Sequence, residues 1–259
     1  MIGMIMSFEF FNNFTYFWLI LALIIHVLLF FVTAPFGRHS SKSWGPMINN
    51  KLAWVIMEFP SFTIMIFFLF WSENSFKNFS WIIFSLWIFH YFNRTFIYPL
   101  RIKATDKKMP IVIMLNAILF NTVNAGVNGY FLVKFTTSNQ YGIIWLTNPI
   151  TILGFLLFFI GLIINWKSDS ILINLRKPNE TAYKIPQGFL FKYITAPNLF
   201  GEIIEWIGFA IIAWNLPALT FAIWTYANLV PRAKNHYDWY LKNFDNYPKN
   251  RKVVFPFVY

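Results

Sequence analysis

No cysteine occurs among the 259 residues of this chain, which excludes disulfides, thiolate metal sites and a cysteine nucleophile. Charge is also scarce: Asp, Glu, Lys and Arg make up 12% of the residues, about half the share usual in soluble domains. No basic stretch precedes the first apolar run, where Glu9 is the only charge, so a cleaved signal peptide is not expected. Neither G-x-G-x-x-G after a strand nor a P-loop is present, which removes the common nucleotide-binding fingerprints. His and acidic residues nowhere adopt metal-ligand spacing, so no metal site is expected. Internal repeats and low-complexity linkers are missing too, and one domain over 1–259 is the economical reading.

What the chain has instead is apolar bulk. Hydrophobic residues account for 58% and aromatic residues for 22%, with 33 Phe. A helix needs about 20 apolar residues to cross a hydrocarbon core of roughly 30 Å. Seven such runs are found, at 14–34, 52–71, 79–98, 110–133, 143–166, 198–214 and 216–230. The last two flank Asn215 and Pro217, which predict a tight turn between two helices. The expected fold is an all-α integral membrane protein with seven transmembrane helices.

The net charge of +11 is unevenly spread. Arg38, Lys42 and Lys51 follow the first run, while Arg101, Lys103, Lys107 and Lys108 follow the third against Asp106. Residues 167–193 hold five basic and two acidic residues, and the tail after Val230 holds six and two. The alternate connections are nearly neutral: Glu73 with Lys77, then Lys134 alone. Excess Lys and Arg mark cytoplasmic loops, so the amino terminus is expected outside and the carboxyl terminus in the cytosol. These loops are short and carry no basic-aromatic module, which argues against nucleic-acid binding. Anionic lipid contact is the simplest alternative use for them.

Ionisable groups inside apolar runs are costly and mark functional sites by default. WVIMEFPSF sets Glu58 two residues before Pro60, whose ring removes a backbone hydrogen bond. HYFNRTFIY puts Tyr91, Arg94 and Tyr98 at spacings of three and four on one helical face, with His90 a turn before Arg94. Asn121, Asn124 and Asn128 form a stripe that reads more readily as helix-to-helix glue than as a site. Asn198, Glu202 and Glu205 share a face of the sixth run, and Arg232, His236 and Tyr240 recur every four residues after the seventh, where a solvated face is the plain reading. Asn165, Asp169 and Arg176 follow helical spacing, before a loop with Tyr183 and Gly188.

The stretches LRKPNETAYKIPQGFLF, APNLFGEIIEWIGFAIIAWNLPAL and YLKNFDNYPKNRKVVFPFVY closely resemble the carboxyl-terminal domain of steroid 5-alpha-reductases, the 3-oxo-5-alpha-steroid 4-dehydrogenases. HYFNRTFIYPL and MEFPSF resemble their amino-terminal half, and the similarity runs from about residue 34 to the end. The resemblance implies a seven-helix reductase that takes hydride from NADPH and saturates the 4,5 double bond of a 3-keto-4-ene steroid such as testosterone or progesterone. It implies a substrate half at 1–133 and a main cofactor half at 143–259. The implied cofactor residues are Arg94, Tyr98, Asn165, Asp169, Arg176, Tyr183, Asn198, Glu202, Arg232, His236 and Tyr240. Glu58 and Tyr91 match the catalytic acid and tyrosine that meet the 3-ketone. Met57, expected beside the substrate with Glu58 and Tyr91, stands where that family has Gln, and Phe36 where it has a Tyr near the nucleotide. Glu205 is expected to support the polar network.

Conjugate reduction needs a donor at the enone oxygen, where charge develops. Tyr91 can donate at ordinary pH, and Glu58 can donate in its protonated form. Rival readings are an isoprenylcysteine-type membrane methyltransferase using S-adenosylmethionine, another sterol-type double-bond reductase, or a small lipid transporter. The expected partners are a steroid or other apolar enone and the lipid bilayer, with the chain a monomer. The host membrane would be a bacterial inner membrane or the endoplasmic reticulum, with the cofactor on the cytosolic side. Abundant Phe, Ile, Asn and Lys point to an AT-rich genome.

Overall fold

In the computed structural model, the described residues are 6–35, 37–72, 76–103, 107–137, 139–175 and 182–259. Helix α1, Phe8–Phe31, is capped by Ser7, whose hydroxyl accepts from the Phe10 amide at 3.2 Å. Its outer face is exposed and apolar, with Phe17, Leu23, Ile24 and Val27 all more than half exposed. A helix that is apolar all round but not buried in protein suits lipid.

A short antiparallel ribbon, β1 (Met47–Asn49) with β2 (Lys108–Pro110), pairs Met47 with Pro110. β1 leads into α2, Asn50–Trp71, and β2 into α5, Ile111–Lys134, so both helices start at the same end of the molecule. The Asn49 side chain accepts from the Lys51 and Leu52 amides and caps α2. Between them α3, Ser80–Phe92, passes into a π-helical turn at Asn93–Ile97 and a last turn, α4, Tyr98–Arg101. Single π turns interrupt helices most often at functional sites.

After the short α6, Ile143–Thr147, the Asn148 side chain caps α7, Pro149–Asn174. Helix α8, Pro197–Ala213, ends at Trp214, which adopts the left-handed conformation with φ 46°. Asn215 then caps α9, Leu216–Asn243, by accepting from the Ala218 amide at 2.9 Å. The expected tight turn at Asn215 and Pro217 is therefore present. Beyond it α9 continues through Pro231, so the row Arg232, His236 and Tyr240 extends the same helix.

The seven apolar runs fall largely in helix, but the first extends beyond the end of α1 at Phe31 and the fifth is divided between α6 and α7 at the cap Asn148. Among the described residues, four helices, α1, α2, α5 and α7, are long and apolar enough to cross a membrane. The third run is divided by the π turn, α8 has 17 residues, and the second half of α9 is charged.

The core lies between α2, α3, α8 and α9. Trp87, Trp206, Phe209 and Phe221 interlock there, with Trp87 and Phe221 centroids 4.5 Å apart and Trp206 and Phe221 4.6 Å apart. The buried Trp87 indole donates to the Ser61 carbonyl at 3.2 Å.

Helices α7 and α8 touch backbone to backbone. Gly154 and Gly161 face Gly208 and Gly201, each pair two turns apart on its helix. A methyl group on Gly161 would strike the Glu205 backbone nitrogen, and one on Gly201 would lie 2.5 Å from the Asn165 nitrogen and 2.6 Å from the Gly161 oxygen. Because backbone cannot give way as a side chain can, these glycines fix how closely the two polar stripes approach. Gly161→Val should therefore destabilise the protein by about 1–3 kcal/mol, the usual cost of overpacking. Gly126→Ala, where added bulk meets nothing within 4 Å, should be neutral or stabilising by about 1 kcal/mol from helix propensity. Thermal unfolding in detergent micelles checks both, and equal melting temperatures for Gly161→Val and wild type would disprove the close-contact account.

Candidate active site

Arg94 leaves the π turn with its guanidinium between two rings, 4.7 Å from the Trp54 ring centroid and 4.8 Å from that of Tyr98. One of its nitrogens lies 3.6 Å from Asp169 Oδ2 on α7. Asp169 Oδ1 accepts from Asn198 Nδ2 at 3.1 Å, and Asn165 Nδ2 donates to the Asn198 carbonyl at 3.0 Å and to Glu202 Oε2 at 3.4 Å. One polar chain thus joins the π turn, α7 and α8. Beside it, Asn165 Oδ1 and Ser168 Oγ are buried with no hydrogen-bond partner among the described residues. Buried polar atoms are normally satisfied, so such orphans point to a missing ligand.

A second group faces it from α2. Asn121 on α5 donates from Nδ2 to the Met57 carbonyl at 2.6 Å and to Glu58 Oε2 at 3.1 Å. Its Oδ1 accepts from the Tyr91 hydroxyl at 3.5 Å, and the Ser61 side chain is also in reach of Tyr91. Tyr91 stacks on Trp87 with centroids 5.3 Å apart. The Met57 side chain points elsewhere, into an apolar cluster with Ala53, Trp54, Met109 and Met114. The charges of Glu58, Arg94, Glu202 and Arg232 act on one another, so the two groups and α9 share one electrostatic field.

Glu205 sits deeper. It is fully buried, and its Oε1 lies 2.7 Å from Nδ1 of His90, itself 2% exposed. His90 therefore does not join Arg94's face as its spacing implied; it pairs with the carboxylate one turn beyond Glu202. Asn124 and Asn128 are helix glue, as their stripe suggested. Asn124 accepts from the Trp18 indole of α1 at 3.1 Å, and Asn128 donates to the Pro217 carbonyl at 3.4 Å.

A third group gathers where α9 leaves the bundle. Arg38 donates to the Tyr240 hydroxyl at 3.2 Å and lies over the rings of Tyr240, Trp239 and Tyr183 at 4.4, 4.7 and 5.4 Å. Lys107 donates to the Tyr183 hydroxyl at 3.0 Å. His39 stacks on His236 with centroids 5.6 Å apart, and Arg232 shares a cleft with His39, Asn228 and Asn235. Burial pushes both imidazoles below their ordinary pKa, and the neighbouring Arg38 charge adds to it. One guanidinium nitrogen of Arg38, His39 Nε2 and His236 Nδ1 are buried with no hydrogen-bond partner among the described residues. Several donors gathered in one place suit an anion. Arg176 and Phe36 lie outside the described residues.

Three features escaped sequence reasoning: the Asn121 bridge, the His90–Glu205 pair and the aromatic seat of Arg38. No spacing rule could find them, because each joins residues at least 30 positions apart on different helices or loops.

A family model described as 3-oxo-5-alpha-steroid 4-dehydrogenase matches residues 107–259. A steroid 5-alpha-reductase of Gossypium hirsutum is 38% identical over 93% of this chain and 94% of its own length. The chain belongs to the 3-oxo-5-alpha-steroid 4-dehydrogenase family. Animal members are equally similar. The 3-oxo-5-alpha-steroid 4-dehydrogenase 1 of Rattus norvegicus is 38% identical over 88% of this chain and 87% of its own, and that of Homo sapiens is 39% identical over 86% of each. The matched region spans α5 to α9 and so contains Asn121, Asp169, Glu202 and the Arg232–Tyr240 row. The plant relative's coverage is too wide to leave out Glu58, Tyr91 and Arg94.

Removing one member of a buried hydrogen-bonded pair strands the other and costs about 1–3 kcal/mol, whereas replacing both by apolar groups is often nearly neutral. His90→Phe should thus lower stability by that amount, and adding Glu205→Leu should restore most of it. Unfolding of the single and double variants in detergent checks this; a double variant no better than the single would show that pairing is not what His90 contributes.

Proposed function

We propose that this family member is a multi-pass membrane reductase that uses NADPH to saturate the 4,5 double bond of 3-keto-4-ene steroids. The oxidoreductase class, acting on CH–CH bonds, follows from membership of the family. The observation that carries the finer reading is the meeting of Glu58 and Tyr91, two potential donors from different helices, on the single side chain of Asn121.

Such an arrangement suits a ketone. As the enone is reduced, negative charge develops on its oxygen, and donors preorganised there stabilise the enolate. Tyr91 and protonated Glu58 would each donate to that oxygen. Either hydroxyl would then supply the proton that ends on the alpha carbon, leaving the saturated ketone. The apolar walls of α2, α3 and α5 would exclude water and bind the steroid rings.

NADPH, when bound, supplies the hydride for the beta carbon. The residues fit it. Asn165 Oδ1 and Ser168 Oγ are orphaned acceptors beside Arg94, Tyr98, Asp169, Asn198 and Glu202, and acceptors of this kind match amide and ribose hydroxyl donors. Arg38, His39, Arg232, His236 and Tyr240, with Tyr183 nearby, would hold the phosphates. A guanidinium nitrogen of Arg38 and the ring nitrogens of the two histidines are buried donors or acceptors in want of a partner. Arg176 would complete this set.

The charge alternation along the loops supports seven spans, an outer amino terminus and a cytosolic carboxyl terminus with the phosphate-holding residues on the cytosolic side. One domain is proposed over 1–259, its substrate half at 1–133 and its cofactor half at 143–259. The polar chain from Arg94 to Glu202 would be the seam between them.

Purified protein with NADPH and progesterone or testosterone tests the reading, by loss of the cofactor's near-ultraviolet absorbance and by the ring-fusion stereochemistry of the product. Binding of S-adenosylmethionine instead of NADPH would replace it with a methyltransferase. Glu58→Ala should lower kcat by the equivalent of about 3–4 kcal/mol, the worth of one oxyanion-site donor, and Glu58→Gln, which keeps a donor, should lose less. Tyr91→Phe should lower kcat with NADPH affinity unchanged. Wild-type turnover in Glu58→Ala would remove Glu58 from the acid role.

A further inference from the structure

The three asparagines of α5 form one stripe but do not share one role. Asn124 and Asn128 each turn an amide nitrogen back into their own helix, to the Phe120 carbonyl at 2.7 Å and the Asn124 carbonyl at 3.0 Å. That habit makes each a self-satisfied side chain with one further contact to a neighbouring helix. Asn121 departs from it. Its two amide hydrogens both leave α5 for α2, to the Met57 carbonyl at 2.6 Å and to Glu58 Oε2 at 3.1 Å.

The place they reach is a weak point of α2. Pro60 has no N–H, so the Ile56 carbonyl loses its helical donor, and the turn that carries Glu58 is less firmly held than ordinary helix. Asn121 ties that turn down through the Met57 carbonyl and orients the Glu58 carboxyl through the same amide group. The Ser61 hydroxyl closes the loop by donating back to the Asn121 carbonyl at 3.4 Å.

On its other side Asn121 offers Oδ1 to Tyr91. This contact, at 3.5 Å, is at the long limit of a hydrogen bond, whereas the two made by Nδ2 are ordinary or short. The difference matters chemically. Glu58 is held, while the Tyr91 hydroxyl rests on a long contact to Asn121 with Ser61 also in reach, an arrangement that a better acceptor can displace.

We propose that Asn121 is a positioning residue, which fixes the Glu58 carboxyl and holds the Tyr91 hydroxyl beside it until a substrate oxygen takes its place. The proposal rests on the reductase reading of Glu58 and Tyr91. It assigns Asn121 no bond to substrate or cofactor.

The test compares Asn121→Leu, Asn121→Asp and Asn124→Leu in purified protein. Measured for each are kcat and KM for a 3-keto-4-ene steroid, NADPH affinity by fluorescence, melting temperature, and activity against pH. Leu is close to Asn in size and makes no hydrogen bond. Asn121→Leu should lower kcat by about tenfold or more, the kinetic equivalent of one lost hydrogen bond to a reacting group, and leave NADPH affinity as in wild type. Asn124→Leu, which strands the Trp18 indole, should lower the melting temperature to a similar degree and keep kcat.

Asn121→Asp carries the sharper sign. When protonated, its carboxyl can donate to Glu58 as the amide does; when ionised, it donates nothing and draws the proton of Glu58 to itself and away from the substrate oxygen. Its activity relative to wild type should therefore fall as pH rises, a change that a purely structural role would not produce. An active wild type with unchanged kcat in Asn121→Leu, or a flat relative pH profile in Asn121→Asp, would overturn the positioning role and leave the reductase reading standing. A wild type that reduces no such enone would overturn both.

Discussion

A carboxylate withdrawn from water has to be met by a cation or by hydrogen-bond donors, and most of this structure follows from that requirement. Three helices carry acids inward: Glu58 on α2, Asp169 on α7, Glu202 and Glu205 on α8. Each finds its partner on a different helix. Asn121 of α5 meets Glu58, Arg94 of the π turn meets Asp169, Asn165 of α7 meets Glu202, and His90 of α3 meets Glu205. Apolar helices in lipid gain little from burying their side chains against one another, because the lipid is as apolar as they are. The polar pairs therefore decide which helix lies against which.

Close approach is the second requirement, and glycine meets it. The backbones of α7 and α8 come together at Gly161 and Gly201, and this brings Asn165 and Asp169 level with Asn198 and Glu202. A larger residue at either glycine would move the stripes apart before it disturbed the aromatic core. That core, built on Trp87, Trp206 and Phe221, supplies bulk on the far side and holds Tyr91 by stacking. Rigid packing around a small polar set is what a site needs when its donors must already be aimed before charge develops.

At the end of the bundle the rule is reversed. Arg38, Lys107 and the two stacked histidines gather among aromatic rings, with Arg38 over Tyr240 and Lys107 over Tyr183. A guanidinium over a ring is stabilised by the ring's negative face without being neutralised. Its charge stays available for an anion, and neutral histidines beside it add donors without adding repulsion. The surplus of basic residues in these segments thus serves a local arrangement as well as a topological signal.

Much of this was legible in the chain itself. The helical character and rough position of the apolar runs, the turn at Asn215, and the grouping of Glu202 with Asn198 follow from periodicity and punctuation, because a helix forms from contacts three and four residues apart. The roles of Asn121, His90 and Arg38 did not follow. In periodicity Asn121 is indistinguishable from Asn124, and His90 is as close to Arg94 as to anything else on its helix. Their partners Glu58, Glu205 and Tyr240 lie far along the chain, and only the packing of one helix on another selects them. The sequence by itself determined which residues had to leave water; the tertiary structure alone decided what met them, since a hydrogen bond depends on distance in space and the spacing along a chain sets that distance only within a single helix.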